Sequence, residues 1–466
     1  ICNYRDYSYD VEKDGYTEAE AVDGLLLAVK GNPILRDDVF DRWDLYDLSM
    51  SCEMRNAGKK VVVPVQKMPW CLHDDGGVLS MLSYNKYRKR AMRMYGRPPK
   101  TIVMTGGYVT LDDFAYALAE GSDAVIVNTR EPESTLGPIL DDINEDTTVI
   151  TFNNLGAGFA LWKQRNVQFF NILVDHPAHY LEAVSSDYYP GYHALCIDRG
   201  HVEFLRSVFK NVPSAFSFMP HGGTDINGMN RDKDIDILYA GGYKNDEEIN
   251  FAPLPFLDSE EFYDFAISYY DRENYIEAQY VVQEYCQQTG NDYSVEQKAI
   301  MTNYIARSVE YYFEAERRKG IIEYLAQRGF SVCLCGNEPW RDIAERYPGN
   351  VSYEGMLSPR ECIEYISRTK VLINDLPYFA EGAHERVFNG MLNGAVVLSN
   401  PSRYLEERFT DKDSILYWDG RDYETVAAKI RQVLDDDGYR ISIIQKARSL
   451  VENDTWQDRL RSILDL

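Results

Sequence analysis

The chain has 466 residues, 45% of them apolar and 13% aromatic, enough to fill the cores of two or three domains and too much for a disordered chain. Its 49 lysines and arginines stand against 74 aspartates and glutamates, a net charge of −25, which argues against nucleic acid or an anionic membrane as partner because both need a basic surface. No stretch approaches the roughly 20 apolar residues of a membrane span, and the eight cysteines are scattered without metal-ligand pairs. A soluble protein of the reducing cytoplasm is expected. The first residue is Ile, not Met, which points to a piece of something longer.

Residues 1–96 contain AVDGLLLAVKG, then FDRWDLYDLSMSCEMRNAGKKVVVPVQKMPWCLHDDGG, then YNKYRKRAMRMYG. The pattern predicts a strand, a helix, a Gly-Lys-Lys turn into a second strand, and a closing helix. It resembles the closing half of a GT-A glycosyltransferase of the streptomycin-biosynthesis-like group. In that family the acid before the helix acts as catalytic base and the late histidine binds a divalent metal, so the resemblance implies those roles for Asp47 and His73. The nucleotide-binding half, with its Asp-x-Asp metal motif, would precede residue 1. Without that half this module cannot transfer a sugar by itself, so Asp47 and His73 read as relics or half a site, and a missing N-terminal GT-A half is an expected contact. No metal is assigned to the rest of the chain. GRPPK (96–100) breaks the preceding helix and marks a boundary.

From 97 to 230 the chain alternates at the lengths of βα units: TIVMTGG, DDFAYALAEG, DAVIVNT, PESTLGPILDDI, TVITFNN, AGFALWKQRN, FFNILVDHPAHY, YHALCID and AFSFMPHGG. Buried parallel strands read as continuous apolar runs that end in a turn residue at their carboxyl edge, where ligands bind. A Rossmann-like domain follows. DHPAHY lies at such an edge, so Asp175, His176 and His179 are expected to project into a cleft. His221, before Gly222 and Gly223, closes this domain, and the two glycines predict a flexible interdomain crossing.

A second Rossmann-like domain is predicted over 231–466, from DIDILYAGG, KGIIEYLAQRG, FSVCLCG, VSYEGML, RECIEYISRTK and VLIND. Gly241 and Gly242 let the backbone approach a phosphate, and Lys244 just beyond supplies charge. The tyrosine-rich stretch from about 245 to 318 reads as an all-helical insertion. Cys333 and Cys335 alternate in a strand and pack as small apolar groups.

EGAHERVFNGMLNGAVVLSN (381–400) follows VLIND and precedes the buried strand AVVLS. It predicts a helix that starts at the carboxyl edge of the sheet, carries Glu381, His384, Glu385, Arg386 and Asn389 on its first turns, and stops at Gly394. Free N–H groups and the helix dipole at that end favour a diphosphate. The run resembles the donor-binding helix of GT-B glycosyltransferases, most closely the spore-maturation-protein-like group and more distantly the E-x(7)-E retaining enzymes. In those relatives the first acid sits by the donor sugar and the second grips the ribose. Glu381 matches the first position, while Asn389 stands where the second acid would be and offers a different hydrogen-bonding geometry.

The resemblance implies two facing Rossmann-like domains and a transferase that takes a UDP- or GDP-sugar and needs no other cofactor. Arg386, assisted by Lys244, would neutralise the leaving diphosphate, with His221 a further donor contact. The acceptor it implies is a bacterial surface glycan or glycoprotein. The place of Glu381 points to retention of the anomeric centre; inversion would need a base, which Asp175, His176 or His179 could supply. Two other readings stay open: a GT-B-like sugar-nucleotide epimerase, and a non-catalytic scaffold of a glycan-assembly complex.

Overall fold

The computed structural model describes residues 15–22, 27–41, 44–64, 86–88, 90–91, 94–95, 100–245, 248–273, 275–375 and 379–465. It separates into two compact units, Ile1–Lys100 with Asp465–Leu466, and Thr101–Leu464.

In the first unit β1 (Tyr16–Glu18) pairs antiparallel with β2 (Val62–Pro64). A helix spans Tyr46–Asn56, and Gly58 turns the chain at φ 72°. A small core gathers Phe40, Tyr87 and Ala91. Asp47 lies inside the first turn of the helix, not before it, and its Oδ1 accepts the Leu48 N–H at 2.7 Å. His73 lies outside the described residues.

The second unit holds two six-stranded parallel sheets. The first is built from β3 (Thr101–Thr105), β4 (Val125–Asn128), β5 (Thr148–Phe152), β6 (Gln168–Leu173), β7 (Tyr192–Cys196) and β8 (Phe216–Phe218), in the order β4-β3-β5-β6-β7-β8. The second contains β9 (Ile235–Ala240), β10 (Val332–Cys335), β11 (Val351–Tyr353), β12 (Thr369–Asn374), β13 (Val396–Ser399) and β14 (Leu416–Tyr417), in the order β11-β10-β9-β12-β13-β14. Strands such as β5, β10 and β13 are buried at every position, as expected when helices cover both faces. Cys333 and Cys335 are buried and free within β10. These are the two Rossmann-like domains that the alternation of apolar runs predicts.

Both sheets are doubly wound, and each has a switch point where strand order reverses. In such sheets ligands bind in the crevice outside the carboxyl ends at that point. In the second sheet it lies between β9 and β12. Their register pairs Tyr239 with Ile373, so two residues further on Gly241 and Asp375 leave the sheet side by side.

Four helices, Ser259–Arg272, Ala278–Thr289, Val295–Arg307 and Val309–Gln327, connect β9 to β10. The first three pack around a core that includes Phe262, Val281, Tyr285 and Ile305. This segment also reaches the first sheet: Tyr280 donates to Glu203 at 2.8 Å and Gln279 Nε2 to the Gly200 carbonyl at 3.1 Å. The last helix, Trp456–Leu464, returns to pack on the helix Val109–Ala119 of the first sheet. Among the described residues no helix is long and apolar enough to cross a membrane.

Candidate active site

The helix of the 381–400 run begins later than its sequence suggests. It spans Glu385–Leu392, with His384 as its N-cap, and ends before Gly394 at φ 79°. Glu381 is therefore not on the helix. It sits in the preceding turn, which a long-range contact holds outside the helix: the Glu381 N–H donates to Asp198 Oδ2 at 2.9 Å, and Asp198 forms a β-bridge with Gly382. The Glu381 carboxylate lies 3.7 Å from the exposed Arg403 guanidinium, a surface pair of small energetic weight.

Arg386 is buried at 7% exposure. Its Nη1 donates to the Ala240 carbonyl at the end of β9, and its Nε lies 3.2 Å from His384 Nδ1. Gly241 leaves room for it, since a Cβ there would fall 2.4 Å from Nη1 and displace the guanidinium. A second guanidinium meets the same turn. Arg318, from the helix Val309–Gln327, donates to the Gly242 carbonyl and to Glu314, and its Nε lies 3.6 Å from the buried Asp375 carboxylate. Both guanidiniums flank the Tyr239 ring, at 5.7 and 6.0 Å from its centroid. From behind, Trp340 Nε1 donates to the Gly241 carbonyl at 2.7 Å. Two fixed cations thus stand at the switch-point crevice on either side of a glycine turn. Only Arg386 of this pair is legible as a site residue in the sequence; Arg318 lies in a run of charged helical residues that resembles any solvated face.

Around Arg386 the charges are set by burial and by each other. His384 Nδ1 lies 2.6 Å from Glu385 Oε2. Burial alone would raise the Glu385 carboxyl, yet His384, His221 and Arg386 hold it down to about 2. Burial and the Arg386 charge push His384 below its ordinary range. The His221 ring stands 5.9 Å from that of His384 and packs edge-on against Trp456 at 5.6 Å. The glycines after His221 do not form a loose hinge. A Cβ at Gly222 would lie 2.7 Å from the Trp456 backbone, one at Gly223 2.5 Å from Leu392, and Gly223 exchanges backbone hydrogen bonds with Asp454 and Trp456. Close packing, not flexibility, is why glycine occupies both positions.

Burial pushes His221 down to about 3 from an ordinary 6.5. In the unfolded chain the same ring takes up its proton as pH falls through 6.5, so the stability it contributes is complete above that value and is lost as pH falls from there toward 3. Between about pH 7 and 5 the wild-type protein should lose about 2 kcal/mol more stability than His221→Phe, at about 1.4 kcal/mol per pH unit below the unfolded pKa. Urea midpoints measured across that range check this. Parallel curves for the two proteins would show that His221 is not a buried neutral ring.

The remaining predicted residues fall into separate places. Asp175 is exposed at the carboxyl edge of β6, where Asn153 and Tyr180 donate to it at 2.8 and 2.9 Å. His179 is half-buried, 2.6 Å from Asn303, and Arg307 and Lys244 act on it electrostatically. The Lys244 ammonium lies 3.8 Å above the Tyr311 ring. These residues form a second polar group where the helical segment meets the first sheet. His176 does not project into a cleft: it is 3% exposed, its Nδ1 accepts the Ala178 N–H at 3.1 Å, and its Nε2 lies 3.2 Å from Gln279. The helical segment covers it. Asn389 is 8% exposed and its Oδ1 accepts the Thr224 N–H at 2.8 Å, fixing the crossing between the sheets.

Two family models match parts of the chain. One, described as a glycosyltransferase like family, matches residues 3–95; the other, described as glycosyl transferase-like, matches residues 317–465, which include Arg318 and the helix Glu385–Leu392. No curated protein matches. Solved structures with similarity include Staphylococcus aureus TarM in complex with fondaparinux, alpha-GlcNAc-glycerol and UDP (12% identity, TM-score 0.41, 69% of this chain and 54% of that one). Others are the sucrose-phosphate synthase of Thermosynechococcus elongatus (12%, 0.44, 78% and 96%) and Anabaena HepE in complex with UDP-glucose (12%, 0.44, 78% and 99%). The chain spans about half the length of the TarM chain.

Proposed function

We propose that the protein is a glycosyltransferase that moves a sugar from a UDP- or GDP-linked donor to a glycan or glycoprotein acceptor, with the donor diphosphate at the β9–β12 crevice. The observation that carries this is the convergence of Arg386 and Arg318, both within the segment matched by the glycosyl transferase-like family, on the Ala240-Gly241-Gly242 turn. Each guanidinium has five N–H donors in a planar fork, and fixing it beforehand on backbone carbonyls means that little reorganisation is needed as charge develops on the leaving diphosphate.

In this reading residues 231–466 are the donor domain, of the spore-maturation-protein-like kind, and 97–230 the acceptor domain, with 1–96 a partial module of the streptomycin-biosynthesis-like kind. Glu381 stands by the donor sugar, reaction proceeds with retention, and Asp175 and His179 face the acceptor. Because guanidiniums and the helix N-terminus supply the positive charge, no divalent ion is needed on the phosphates.

The test is a panel of nucleotide sugars, with free nucleotide as the readout, run in EDTA without added divalent ion. Release of nucleotide from one donor, increased by an acceptor, is the expected result. Conversion of the donor without nucleotide release would make the protein an epimerase, and no turnover of any donor a scaffold. A loss in EDTA restored by manganese or magnesium would move the chemistry to a metal-dependent centre.

A further inference from the structure

We propose that His176, His201 and Glu277 form a binding site for one divalent transition-metal ion, with zinc the best match to the donor set. The three come from different elements: His176 follows β6, His201 lies in the first turn of the helix Arg199–Val208, and Glu277 precedes the helix Ala278–Thr289. Their exposures are 3%, 0% and 2%. Each offers one ligand atom, and these atoms all lie within 4.8 Å of one another. His201 Nε2 is 3.5 Å from Glu277 Oε2, and the two imidazole rings are 4.5 Å apart. Two imidazoles and a carboxylate are a donor set that zinc takes, leaving a fourth position.

Charge balance supports an ion here. Asp198, itself 0% exposed, is hydrogen-bonded to Glu277, so two carboxylates share one dry space. Burial pushes both carboxyl pKa values up, the Asp198 charge adds to the rise at Glu277, and burial pushes His176 down. Isolated buried charge is costly, and two carboxylates beside neutral imidazoles must take up either a proton or a cation. A divalent ion neutralises both carboxylates together.

Outer contacts suited to holding the ligands are in place. Ala380 N–H donates to Glu277 Oε1 at 3.1 Å, while Glu277 Oε2 has no hydrogen-bond partner among the described residues. Gln279 and the Ala178 N–H each occupy one nitrogen of His176; the ion takes the place of one of these hydrogen bonds and the other orients the ring. Bound there, the ion ties the helical segment to the loop and helix of the first sheet. Its role is structural and does not depend on the proposed transfer reaction.

The experiment uses the full chain, stripped with a chelator under mild denaturant, refolded, and titrated with Co²⁺ and Zn²⁺. The expected result is one ion per chain, a visible ligand-field spectrum of a four-coordinate Co²⁺ site, a rise in thermal midpoint, and at least a tenfold weaker affinity in Glu277→Gln and His201→Asn. Asp175→Asn should bind as the wild type does. X-ray absorption on the zinc-loaded wild-type protein should show two imidazoles with oxygen and no sulfur, which keeps the test valid even where a variant fails to fold. Absence of stoichiometric uptake by folded wild-type protein, a sulfur ligand, or unchanged affinity in both variants would overturn the site and leave a proton shared by Asp198 and Glu277.

Discussion

Arg386→Ala is expected to lower turnover by roughly two to three orders of magnitude, the range for losing one preorganised donor to developing negative charge. The substitution also removes the Nη1 hydrogen bond to the Ala240 carbonyl, and an unpaired buried carbonyl costs about 1–3 kcal/mol. A domain with the usual 5–15 kcal/mol of stability survives that. Circular dichroism and a urea midpoint establish that the variant is folded, and single-turnover nucleotide release then reads the chemistry. Arg386→Lys should recover only part of the rate, because an ammonium cannot hold the carbonyl and face a phosphate in one plane as the guanidinium fork does. A folded Arg386→Ala protein with near wild-type release would remove Arg386 from the mechanism and leave Arg318 as the leading cation.

The second large effect is on stability. Trp456 is 1% exposed at the start of the last helix. Its ring lies 5.1 Å from Phe114, 5.4 Å from Phe152 and 5.6 Å from His221, so one side chain fastens the end of the chain to the first sheet and to the crossing between the sheets. Truncating a buried tryptophan costs about 3–5 kcal/mol through lost burial and the cavity left behind, and Trp456→Ala should show a loss of that size in urea unfolding. Trp456→Phe should recover much of it. The close approach of Gly222 to the Trp456 backbone limits how far the chain can collapse into the hole, which places the expected value in the upper part of the range. A loss below about 1 kcal/mol would mean that the helix does not clamp the first sheet.

Much of the fold is legible in the sequence because parallel strands covered on both faces must be apolar throughout. TVITF, SVCLC and AVVLS carry that signature locally, and the turn residues that end them mark one edge of the sheet. Cys333 and Cys335 follow from the same logic. The stop of the helix Glu385–Leu392 is local too: Gly394 takes φ 79°, which glycine tolerates at little cost. The start is not. Nothing in EGAH forbids a helix, and the segment stays outside it because Asp198, 183 positions earlier, accepts the Glu381 N–H.

The same distance dependence decides the site. His176 reads as a cleft residue because its strand ends at the right edge, but Gln279, more than 100 positions away, covers it, while His179 stays half-buried beside Asn303. Asn389 reads as a ribose contact, but its amide oxygen accepts the Thr224 N–H, 165 positions away. Arg318 is one of three adjacent cations in the sequence Arg-Arg-Lys, and only the packing of its helix against β10 aims it at the Gly242 carbonyl. By itself the sequence determined which segments are strands, which edge collects polar residues, and where tight turns demand glycine, since each is a local steric or solvation constraint. Strand order, the switch point between β9 and β12, the pairing of two arginines on one turn, and the burial of His176, His201 and Glu277 together were decided by tertiary structure, because each depends on contacts between residues far apart in the chain.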